Sequence, residues 1–125
     1  MIRAMLLAAA LLCAPSANAA AVALSCSFDR RCEPDRGCGV TALSMIFHMD
    51  DVDGSAFIIG NNGVAEVQAI SGNRATSFVE RLPSGAVQVT VIDLTTTRAV
   101  HSRHTVKLGG GILPSQYYGT CTVGS

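Results

Sequence analysis

An all-β fold is predicted: a small antiparallel meander of about six to seven strands, closed as a barrel or a two-layer sandwich and stapled by two disulfides. Three features predict it. Short apolar runs recur about every ten residues with turn residues between them. Beyond the N-terminal apolar run, no stretch sustains a helical period over three turns. Four cysteines, Cys26, Cys32, Cys38 and Cys121, remain once the N-terminal segment is removed.

That segment, residues 1–19, has the three parts of a cleavable signal peptide. Arg3 gives a positive start, Ala4 to Ala14 is almost purely apolar, and Ala17-Asn18-Ala19 places small residues where a signal peptidase cuts. The apolar run is shorter than the roughly 20 residues that span a bilayer, so no membrane span is expected. In Ala23-Leu24-Ser25-Cys26 the leucine stands one place too late for a lipoprotein signal. The expected mature chain is therefore periplasmic or secreted and carries no lipid anchor.

Removal of residues 1–19 from the 125 leaves 106, enough for one domain. Two parts are expected within it: a disulfide-held N-terminal segment over 20–39 and a β-domain over 40–125. Nine basic and nine acidic residues balance in the full chain, and loss of Arg3 leaves the mature protein at about −1. A near-neutral chain lacks the basic footprint of a nucleic-acid binder. Arg30-Arg31 is its densest basic point, and Asp29, Glu33 and Asp35 surround it.

An even number of cysteines in a small exported domain reads as two disulfides. The Cys-x5-Cys-x5-Cys spacing of Cys26, Cys32 and Cys38 is not that of a structural zinc site, and there is no Cys-x-x-Cys redox pair. Four cysteines allow three connectivities, and each ties Cys121 to the N-terminal segment. The crosslink closes a loop of more than 80 residues. The second bond holds the charged stretch Asp29–Gly37, which is expected to be a loop.

From Val40 the strands follow in order. Thr41, Leu43, Met45, Phe47 and Met49 share a face at period two, before the turn Asp50–Gly54. Ser55–Ile59 ends at Gly60-Asn61-Asn62-Gly63, a hairpin signal. Val64–Ile70, Ala75–Leu82 and Ala86–Leu94 come next, separated by Ser71-Gly72-Asn73 and Pro83-Ser84-Gly85. In Ala86–Leu94, Val87, Val89 and Val91 point one way and Gln88 and Thr90 the other. Arg98–Leu108 and Ile112–Val123 flank Gly109-Gly110-Gly111. Closure of such a sheet removes its exposed edges.

Candidate chemistry is sparse. His101 and His104 would share a face on a helix, but on a strand they point apart. His101 is expected outward with Arg103 and Lys107, and His104 inward with Val100 and Val106. Asp51-Val52-Asp53-Gly54 lacks the outer ligands of a calcium loop: position 1 would be Met49 and position 12 Gly60. Gly109-Gly110-Gly111 precedes no Gly-Lys-Ser/Thr. No catalytic set, metal site or cofactor is therefore assigned. The candidate binding residues are His101, Arg103, Gln116, Tyr117 and Tyr118, since paired tyrosines with amides make good contact surfaces.

Ala99-Val100-His101-Ser102-Arg103-His104 followed by Pro114-Ser115-Gln116-Tyr117-Tyr118-Gly119-Thr120-Cys121 resembles small exported proteins of Gram-negative bacteria whose role is uncharacterised. The resemblance covers about a quarter of the chain and implies export without implying an activity. A looser likeness, in size, export and strand pattern, is to the periplasmic inhibitors of C-type lysozyme, which are small disulfide-bonded β-barrels. Their Trp- and Tyr-containing signature is absent here, so no inhibitory residue carries over.

Three functions are expected in order. The first is a non-enzymatic domain binding a protein or an envelope component. The second is a small hydrolase or metal-dependent enzyme using His101 and His104, which requires the two rings to converge. The third is a carrier of a small apolar ligand, which requires an internal cavity.

Overall fold

The computed structural model describes residues 22–50 and 53–124. The expected signal peptide lies outside the described residues, as do Asp51 and Val52 of the acidic turn. Eight antiparallel strands run β1 Val22–Glu33, β2 Gly37–Met49, β3 Ala56–Gly60, β4 Gly63–Ser71, β5 Ala75–Arg81, β6 Val87–Asp93, β7 Arg98–Val106 and β8 Ile112–Gly124. They pair in sequence order and close through β1 and β8 into a barrel. The barrel, not the sandwich, is the closure adopted.

The strand beyond the expected count is β1. Residues 22–33 fall in the expected disulfide-held N-terminal segment, whose stretch Asp29–Gly37 is expected to be a loop, yet Leu24, Cys26 and Phe28 alternate with Ser25 and Ser27 and turn Cys26 and Phe28 into the core. The charged Asp29-Arg30-Arg31 stays on the strand because a bulge between Phe28 and Arg30 resets its register and leaves these side chains in solvent. Gly119 makes that bulge possible. A Cβ there would collide with the Ser27 carbonyl oxygen and lie 2.7 Å from Phe28 Cα.

Both disulfides join residues directly opposite on paired strands. Cys26–Cys121 ties β1 to β8 at the closing seam, and Cys32–Cys38 ties β1 to β2 near their hairpin. The first spans 95 residues of chain and is buried in the barrel. Such loop closure is worth about 5 kcal/mol in the chain-entropy treatment, against about 2 kcal/mol for the six-residue separation of the second.

The middle of the barrel is filled. Phe47 and Phe78 stack with ring centres 4.2 Å apart, and Phe28, Met45, Val67, Ile92 and Tyr117 pack around them. Full burial of one such side chain contributes roughly 1.5–3 kcal/mol. As expected, Met45 and Phe47 lie inward with Leu43 and Met49 packed against the core.

The β7 faces are the reverse of those expected. Ala99 and His101 are buried, whereas His104 and Val106 are exposed. The ladder with β6 fixes this, because Ala99 opposes Ile92 and His101 opposes Thr90, both inward residues. Val87 and Val91 lie outside instead. Valine favours strands through its branched β-carbon, and an exposed one is ordinary.

The hairpin turns β1–β2, β3–β4, β5–β6 and β7–β8 gather at one end of the barrel. There, three seams between hairpins stop short: β2–β3 at Ile46 and Ile59, β4–β5 at Gln68 and Val79, β6–β7 at Val89 and Ser102. The hairpins therefore splay, and this end is an open mouth. Among the described residues, no helix is long and apolar enough to cross a membrane.

Candidate ligand site at the barrel mouth

A row of inward residues crosses four strands just below the mouth. Phe78 opposes Thr90, Thr90 opposes His101, and His101 opposes Tyr117. Each belongs to the alternate set that its strand turns inside, so the pairing stacks them as one layer. His101 and Thr90 are only 1% exposed. A layer of this kind needs its polar atoms paired, since an unpaired buried group costs roughly 1–3 kcal/mol.

The pairing runs as a relay. The Arg103 Nε donates to His101 Nε2 at 3.0 Å. Arginine only donates, so Nε2 must be the acceptor and the proton sits on Nδ1. The His101 Nδ1 then donates to Thr90 Oγ1 at 2.6 Å, and the Thr90 hydroxyl donates weakly to Met45 Sδ at 3.9 Å. Phe28 and Tyr117 pack against the His101 ring in tilted contacts, each with its centre 5.9 Å away. Burial pushes the His101 imidazole down to about 4, with the positive Arg103 adding to the effect. The ring is neutral at neutral pH, as the relay requires.

Arg103 is thereby fixed from two sides. Its Nε is held by His101, and its guanidinium carbon lies 5.0 Å from the Tyr117 ring centre, a cation–π contact. Among the described residues, no carboxylate comes within 4.0 Å of its nitrogens. Its two terminal amino groups remain as donors in a planar fork.

Arg103 lines a cavity of about 310 Å³ in the mouth. The floor is Met45 and Ile58, and Leu43, Ala65 and Leu82 form apolar wall. Glu80 and Gln88, opposite each other on β5 and β6, supply a carboxylate and an amide. Asn61 and Asn62, in the tight turn closed by the Gly60–Gly63 pair, stand at the rim.

The five expected binding residues divide between two faces. His101, Arg103 and Tyr117 come together inside. Gln116 and Tyr118 lie on the outer wall, where the Tyr118 hydroxyl donates to Gln116 Oε1 at 3.2 Å and Arg30 lies over the Tyr118 ring at 5.5 Å. That wall carries a second, larger groove of about 620 Å³ with Arg98 and Thr120. His101 and His104 do not converge: one is inside the barrel and the other outside. Among the described residues, no group of three or more His, Cys, Asp or Glu side chains is placed to hold a metal ion.

Sequence reasoning missed Thr90, Glu80, Gln88 and Met45. The signal for two of them was present, since Gln88 and Thr90 alternate with three valines. No family model matches the chain, and comparison with curated proteins and with solved structures finds no match.

Proposed function

We propose that the protein is a non-enzymatic binding domain, exported to the periplasm or beyond, that takes an oxyanion of a protein or envelope component at the barrel mouth. One observation carries this: Arg103 stands in the cavity with its fork oriented by His101 and Tyr117 and with no carboxylate partner among the described residues. A guanidinium held in this way loses little freedom when it binds a carboxylate or phosphate in bidentate fashion. Export is supported by the form of residues 1–19 and by two disulfides, which persist in oxidising compartments.

A hydrolase built on His101 and His104 has no support, because the rings lie on opposite sides of the sheet. A carrier of apolar ligands would need space where Phe28, Phe47, Phe78 and Tyr117 pack.

The test is a titration of the mature protein with N-acetylglycine and with methyl phosphate, followed by amide chemical shifts. Saturable shifts at Asn61, Asn62, Gln88 and Arg103, lost in Arg103→Gln, are expected. Shifts that do not saturate, or that persist unchanged in Arg103→Gln, would refute an anion site at the mouth.

A further inference from the structure

Glu80 is the second charged group in the mouth. Its strand register pairs it with Gln88, and Gln88 lies on the strand next to Arg103. All three line the same cavity. Two strand spacings separate the Glu80 and Arg103 backbones, roughly 10 Å, and more where the hairpins splay. Both side chains line the cavity, but they form no ion pair with each other. The cavity thus offers a cation at one side, an anion at the other and an amide between them.

Resting on the mouth as the binding site, we infer that the ligand is a small zwitterion of dipeptide size, with its carboxylate on Arg103, its ammonium on Glu80 and its central amide against Gln88. A ligand with charge at one end only would leave either Glu80 or Arg103 facing it without compensation. A carboxylate alone would also feel the repulsion of Glu80. The volume of about 310 Å³ is at the small end of ligand cavities and suits such a molecule. Leu43, Ala65 and Leu82 leave apolar wall for small side chains.

Three nearly isosteric probes test this on the mature protein: glycylglycine with both charges, N-acetylglycine with the carboxylate only, and glycylglycinamide with the ammonium only. Dissociation constants come from the same amide shifts. Glycylglycine is expected to bind at least about ten-fold tighter than either relative. In Glu80→Gln the advantage of glycylglycine over N-acetylglycine should vanish while N-acetylglycine binds at least as well as before. Equal binding of glycylglycine and N-acetylglycine to the wild type would overturn the zwitterion and leave the anion site standing. Failure of all three probes to give saturable shifts would overturn both.

Discussion

His101 accepts a hydrogen bond from Arg103 at 3.0 Å, so a buried neutral imidazole orients a cation at the lip of the barrel. The geometry tolerates only the neutral ring. A proton on Nε2 would remove the acceptor and set two positive groups side by side.

Stability should depend on pH through this ring. The folded value is about 4 and the ordinary value 6.5. Between these limits the unfolded chain binds more protons than the folded one. The contribution is therefore complete above about pH 6.5 and is lost as pH falls through about 4, amounting to about 3 kcal/mol. Urea unfolding across that range should show the slope in the wild type and a reduced slope in His101→Asn. Equal slopes would place the titration elsewhere.

Thr90→Val keeps the shape of the side chain but leaves the His101 Nδ1 proton without its acceptor. A loss of about 1–3 kcal/mol is expected, with much of it restored in Thr90→Ser. Chemical denaturation measures both. A silent Thr90→Val would mean that the ring finds another acceptor.

The two disulfides should differ in weight. Removal of the barrel-closing bond in Cys26→Ala/Cys121→Ala is expected to cost about 5 kcal/mol, and removal of the hairpin bond in Cys32→Ala/Cys38→Ala about 2 kcal/mol. A small domain has only about 5–15 kcal/mol in all, so the first variant should lose at least about a third of its stability. Circular dichroism melts under oxidising conditions would show the order, and its reversal would contradict the assigned connectivity.

Gly119→Ala should be at least as damaging as losing the second disulfide. The added methyl meets the β1 backbone at Ser27 and Phe28, and backbone cannot swing aside as a side chain can. Poor expression, or a melting temperature lowered by more than 10 °C (roughly 2 kcal/mol or more for a domain of this size), is expected.

These sites differ in how far the sequence announces them. Closure by disulfide was legible because every connectivity ties Cys121 to the N-terminal segment. The inner face of β2 was legible because Leu43, Met45 and Phe47 alternate with Ala42 and Ser44. β1 was obscured by Asp29-Arg30-Arg31, charges that a bulge and the Gly119 contact make compatible with a strand. The faces of β7 were not legible. Alternation fixes which residues share a face, but only the ladder with β6 decides which face is inside. There the rule that valine goes in and histidine goes out fails, because a layer with its hydrogen bonds paired can occupy the interior near an open mouth. Arg103 was a candidate from sequence, but its orientation by His101 and Tyr117 arises from register.

The most direct test of the mouth as an oriented anion site is the affinity of Arg103→Lys for N-acetylglycine. Lysine keeps the charge but has no Nε–H for His101 and no planar fork. Binding weaker by at least about ten-fold than in the wild type is the predicted result. An unchanged dissociation constant would contradict it, because charge alone would then suffice and the relay from Met45 through Thr90 and His101 would have no part in binding.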